Sequence, residues 1–366
     1  MVGLGTRSRL PGLLASSGQE RPRATYGTDL VTALLGVWFT VGLMVDAWAH
    51  NNIPKLETFF TPWHALFYSG FTASAAWILW TVWRQARTGR RGLAAVPVGY
   101  GLAVVGVPAF AVAGAGDYLW HSIFGIEQTI NILFSPTHLA LVTSMIFILT
   151  APLRSAMSDP ALPKAPSLGR LVPAVVSLAF TTSLVLLFLQ YANAMVYSPE
   201  GIVRSFSSEN DYGDAAQLAA SIAVTALVLV ASPLLLARRL RLPFGTVTIV
   251  HVAVAGLSGA ITGFHNVPVV VTLVVAGVCA DLLAVLLRPG VDRRVAYWAF
   301  AGLVPLVTWA LYFWVASLIV GHVPTVVELW TGAPVVAAML GLLLGALMLP
   351  PRGPATGAVA ATPEGS

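Results

Sequence analysis

Two stretches of the chain carry nearly the same run of metal-ligand residue types. The first reads Asp46-Ala-Trp-Ala-His50, then Glu57, then Thr61-Pro-Trp-His64; the second reads Asp117-Tyr-Leu-Trp-His121, then Glu127, then Ser135-Pro-Thr-His138. In each, an Asp and a His stand four apart, which on a helix stacks both side chains on one face. A second His follows the acid-bearing loop, just past a Pro. Asp, His and His converging from neighbouring helices make a two-nitrogen, one-oxygen donor set suited to a transition metal. The chain has only 7 His, and this repeat uses most of them, so chance is a poor explanation.

The elements that must position these residues are membrane helices. The chain is 57% hydrophobic and 10% charged, with a mean hydropathy of +0.80; soluble domains carry about 25% charged residues. Apolar runs such as 171–189 and 222–237 match the roughly 20 residues a bilayer-spanning helix needs. The expected fold is therefore all-α, a polytopic transmembrane bundle. Ten spans are expected, near 28–49, 63–84, 93–120, 137–154, 171–197, 215–237, 244–264, 267–287, 295–320 and 334–349. They pair into five hairpins that loop outward, with both termini cytoplasmic. Residues 26–350 form the transmembrane domain, flanked by flexible polar tails at 1–25 and 351–366.

The net charge of +5 invites a nucleic-acid reading, which the distribution of charge excludes. On the expected topology every Lys and Arg except Lys55 and Arg204 lies in a cytoplasmic segment, which is the positive-inside pattern. The basic excess marks topology, and the partner it implies is the lipid bilayer, in a multi-pass cell-membrane protein. The single Cys279 excludes an intramolecular disulfide and a thiolate cluster. Every His except His251 is expected near the outer, extracytoplasmic surface, opposite the arginines. Trp48, Trp63, Trp120 and Trp330 fall at the same helix ends, where an aromatic belt is the ordinary reading and a wall around a metal site the sharper one. The fifth hairpin carries a faint echo of the repeat in His322, Glu328 and Pro334, with Pro334 at a helix start.

An Asp inside a span costs about 3 kcal/mol even on lenient insertion scales, so Asp46 and Asp117 need a partner. A bound cation would satisfy carboxylate and imidazoles together. The plainer alternative is an Asp–His hydrogen bond that steadies each helix end. Pro62 and Pro136 suit the start of a helix and would fix the direction from which His64 and His138 approach. Three protein ligands leave coordination positions open, as catalytic sites require. Glu57 and Glu127 are candidate second-sphere acceptors or proton relays, or simply solvated loop acids.

These motifs resemble the copper sites in a transmembrane component of the copper membrane monooxygenases, the particulate methane and ammonia monooxygenases. The likeness rests on Asp-x-x-Trp-His121 with Phe-Ser-Pro-Thr-His138, and on Asp46-Ala-Trp-Ala-His50 with Phe-Thr-Pro-Trp-His64. It covers the first two hairpins, roughly a third of the chain. The resemblance implies copper as cofactor, Asp46, His50 and His64 at one site, Asp117, His121 and His138 at the other, an oxidoreductase role and partner subunits. This chain departs from the family in having Asp at both sites, where the family has Asn at one, and in having more spans.

His251 and Asp281 fall within expected spans, where an Asp–His pair joining two helices is the modest reading and a proton relay the sharper one. His251 and His265 stand about 21 Å apart along a helix, a spacing that suits stacked haems, but no other span supplies matching His. Gln190, Tyr191 and Asn193 could face the hairpin sites or make ordinary interhelical hydrogen bonds. Three functional classes follow. The first is a redox or oxygen-handling copper protein. The second is a copper or zinc transporter or delivery protein. The third is an intramembrane zinc hydrolase.

Overall fold

Thr25 caps the first helix, its hydroxyl accepting from the Thr28 amide, and α1 then runs unbroken over Tyr26–Asn52. The computed structural model of the protein describes residues 19–53, 61–125, 132–207 and 212–349. Among them the fold is all-helical, with no strand. After α1 come α2 (Pro62–Ala86), α3 (Gly101–Phe124), α4 (Pro136–Leu149), the short α5 (Ala151–Ser158), α6 (Leu168–Phe188) and α7 (Pro199–Ser205). The chain continues through α8 (Tyr212–Ala237), α9 (Thr246–Ile261), α10 (Val267–Leu287), α11 (Arg294–Val320) and α12 (Val327–Met348).

Nine of the described helices are long and apolar enough to cross a membrane, α4 and α5 counting as one span bent at Thr150. The expected span at 244–264 is the exception. Its helix α9 has 16 residues, a rise of about 24 Å against a hydrocarbon core of about 30 Å. It stops early because Gly263 and Phe264 both take positive φ, 59° and 60°, which turns the chain at once into α10. The span expected at 334–349 begins earlier, at Val327, so Pro334 lies inside α12. The echo of the repeat around His322, Glu328 and Pro334 therefore fails, and His322 is exposed, its Nδ1 3.1 Å from the Val323 carbonyl.

Helices α1 and α2 pack as one hairpin, α3 and α4 as a second, and α6 lies against α1, α4 and α9. Apolar surface gives little drive for association inside lipid, so close backbone approach must supply it. Small residues permit that approach. A Cβ on Gly70 would lie 2.6 Å from Phe39 Cα, and one on Gly42 2.8 Å from Phe67 Cα. In the second hairpin a Cβ on Gly106 would lie 2.8 Å from the Ser144 carbonyl oxygen. Between the hairpins, Phe71 stacks on Phe110 at 4.2 Å, and Phe39 meets Phe67 at 5.3 Å and Phe110 at 5.1 Å. This aromatic layer is the floor beneath the histidine-bearing helix ends.

The opposite helix ends are tied by arginine. Arg21 donates to the carbonyls of Val96 and Pro97, Arg154 to those of Gly99 and Phe147, and Arg239 to those of Ala156, Met157 and Asp159. Arg23 pairs with Asp159 at 3.0 Å. Imidazoles gather at one end of the first two hairpins and guanidinium groups at the other.

Candidate metal centre

Each triad is assembled by the end of one helix and the start of the next. Asp46 and His50 occupy the last two turns of α1, and Asp117 and His121 those of α3. The third ligand sits at the same place in both following helices. Thr61 and Ser135 are N-caps, Pro62 and Pro136 the first helical residues, and the cap hydroxyls accept from the amides of His64 and His138. The Thr/Ser-Pro-x-His run is thus a complete helix start, with cap and N1 proline in their preferred places. It delivers the His on the first turn, facing the Asp of the preceding helix.

The six expected ligands meet as two groups. In the first, Asp46 Oδ1 lies 3.0 Å from His64 Nδ1, and Asp46 Oδ2 3.8 Å from His50 Nε2. In the second, Asp117 Oδ1 lies 3.1 Å from His138 Nε2 and 3.6 Å from His121 Nε2. Within each group the candidate ligand atoms lie within 4.8 Å of one another. Asp117 is 2% exposed and Asp46 7%, so neither carboxylate relies on bulk water. Both triads border one cleft of about 740 Å³, open mouth included, otherwise walled by apolar side chains such as Phe67, Val142, Met145 and Leu187.

Two observations show that a cation suits these groups. At the second site the outer ring nitrogens are committed: His138 Nδ1 lies 2.6 Å from the Ile132 carbonyl and His121 Nδ1 3.2 Å from that of Gly125. A carbonyl only accepts, so each Nδ1 carries the proton, and in the neutral ring Nε2 presents a lone pair. Two lone pairs then point at one carboxylate oxygen, an arrangement that repels unless a positive charge lies among them. Carbonyl-anchored imidazoles are also the usual outer support of metal-binding histidines. At the first site, Asp46 Oδ1 is buried and accepts no hydrogen bond. A buried anionic oxygen left in that state is costly, and a bound cation removes the cost.

Several partners of the site were not legible from spacing. Thr137 donates to Asp117 Oδ1 at 2.8 Å. Tyr68 lies one turn beyond His64, its ring nearly parallel to the imidazole at 6.3 Å, within electrostatic range of Asp46 and Asp117 alike. The i, i+4 step from His64 to Tyr68 was a signal that could have marked it. Of the three residues after α6, Gln190 lines the cleft. Asn193 instead donates to Ser258, and Tyr191 packs against Phe134. Trp48 packs edge-on against Trp63 at 6.1 Å, and Trp120 lies 4.5 Å from Phe124. Glu57 and Glu127 fall outside the described residues.

The Asp281–His251 pair is not formed. Asp281 Oδ1 accepts from the Val247 amide at 2.9 Å, and Oδ2 from the Thr248 amide at 2.9 Å and its hydroxyl at 2.6 Å. It caps α9 from the neighbouring α10, because Gly245 at the N-cap position has no side chain to do so. His251 is fully buried against Gly277 with its Nδ1 3.0 Å from the Val247 carbonyl, and neither residue borders the cleft.

Compared with known proteins, the chain matches no family model, no curated protein and no solved structure. The functional reading therefore rests on the two triads and their surroundings.

Proposed function

We propose that the chain is an integral membrane metalloprotein that holds copper at both hairpin triads and serves redox or oxygen-handling chemistry. The observation that carries this reading is the convergence of two imidazole nitrogens on a buried carboxylate, made twice and bordering one apolar cleft. A nitrogen-rich set without thiolate suits Cu(II), which tops the divalent affinity order. The likeness of the two motifs to those of the copper membrane monooxygenases supports the same metal. Bound copper supplies one-electron redox chemistry, and three protein donors leave it room for a small molecule. The chain's own part is to orient the imidazoles, through the Gly125 and Ile132 carbonyls, and to keep bulk water from the carboxylates.

The sites belong on the extracytoplasmic face in this reading, since the described arginines other than Arg204 gather at the other end. Transport finds less support: among the described residues no third group of His, Asp, Glu or Cys continues a path between the two ends. The experiment is metal analysis of protein purified from copper-supplied cells. Wild type is expected to carry about two copper ions per chain and the Asp117→Ala/His121→Ala variant about one. Unchanged copper in the variant overturns the assignment.

A further inference from the structure

The two triads share their residue types but not their support. Asp117 receives a hydrogen bond from Thr137, whereas Asp46 Oδ1 accepts none. The difference lies in one position of the repeat. The residue before the second His is Thr137 in one unit and Trp63 in the other, and the indole packs on Trp48 instead of reaching the carboxylate. The imidazoles differ as well. His121 and His138 both turn Nε2 inward and anchor Nδ1 on backbone carbonyls. His64 turns Nδ1 inward, and that same nitrogen lies 3.1 Å from the hydroxyl of its own helix cap, Thr61. An ion at the first site must compete with this hydroxyl for the nitrogen lone pair. The first triad is also wider, with His50 3.8 Å from its carboxylate, and its Asp side chain is more exposed, 10% against 2%.

Resting on the metal reading above, we infer that the two sites are unequal. The Asp117, His121, His138 site is the resident, high-affinity centre, and the Asp46, His50, His64 site exchanges its ion. Preorganisation decides this. A donor set held in place by packing and outer hydrogen bonds loses little freedom on binding, and removing one outer partner of a metal ligand typically costs about 10–100-fold in affinity. Thr137 is a positioning residue here, acting on the ion through Asp117.

The test is titration of the metal-stripped full chain in lipid nanodiscs with Cu2+ under chelator competition. Wild type is expected to fill in two steps separated by about tenfold or more. His138→Gln is expected to remove the tight step and His64→Gln the weak one. Thr137→Val, close in shape and outside the ligand set, is expected to weaken the tight step about 10–100-fold and leave the weak one in place, with Thr137→Ser restoring it. This variant keeps the test decisive should a His→Gln variant fail to fold. Equal filling of both sites, loss of the tight step in His64→Gln, or an unchanged tight step in Thr137→Val overturns the inference while leaving the metal reading intact. Absence of any Cu2+ binding by wild type defeats the metal reading and the inference with it.

Discussion

Gly70→Val is expected to empty the first metal site without altering a ligand. The new Cβ would fall 2.6 Å from Phe39 Cα, 2.9 Å from Phe39 N and 3.2 Å from the Trp38 carbonyl carbon. All three are backbone atoms of α1, so no rotamer change relieves the clash. Helices α1 and α2 must separate, and with them Asp46 and His50 move away from His64. Coordination distances tolerate only about 0.2 Å, so a shift of that order or more at the helix ends breaks the triad. Overpacking of this kind costs about 1–3 kcal/mol, more where backbone must move. Copper content is expected to fall by about one ion per chain, with a lower unfolding temperature in detergent. Gly256→Ala is the control, since a Cβ there meets nothing within 4 Å. Gly70→Val protein with full copper content would show that the hairpin contact does not set the site.

Asp281→Leu is expected to destabilise the protein by about 3 kcal/mol or more while leaving its copper content unchanged. The two carboxylate oxygens satisfy three donors at the start of α9, in a side chain that is fully buried. Leucine fills much of the same volume but leaves the Val247 and Thr248 amides without acceptors, at about 1–3 kcal/mol for each buried group. Asp281→Asn keeps one acceptor oxygen and is expected to fall between. Unfolding curves and metal analysis on the same samples check both halves. A stable Asp281→Leu protein that had lost its copper would give this residue a functional role instead of a structural one.

The class of fold was legible because hydropathy alone decides it: runs of twenty apolar residues have one destination. The six ligands were legible because helical spacing, i to i+4, and a proline before the next His are local features, and their repetition removed chance. What failed was non-local. The length of α9 depended on Gly263 and Phe264 both taking positive φ, which no run of apolar residues announces. Asp281 and His251 lie on neighbouring helices, yet the missing cap at Gly245 drew the carboxylate to backbone amides instead of the imidazole. Thr137 and Tyr68 escaped notice for the same reason. A hydroxyl in the first turn of α4 or a phenol on α2 gains meaning only once another helix brings its carboxylate alongside.

Crystals of the wild-type chain grown with Cu2+ and measured on either side of the copper absorption edge bear most directly on the two-site claim. The expected anomalous map has one peak among Asp46, His50 and His64 and a second among Asp117, His121 and His138, the second persisting at lower Cu2+. Copper-saturated crystals with no peak at either triad, or with copper bound elsewhere on the chain, would contradict it.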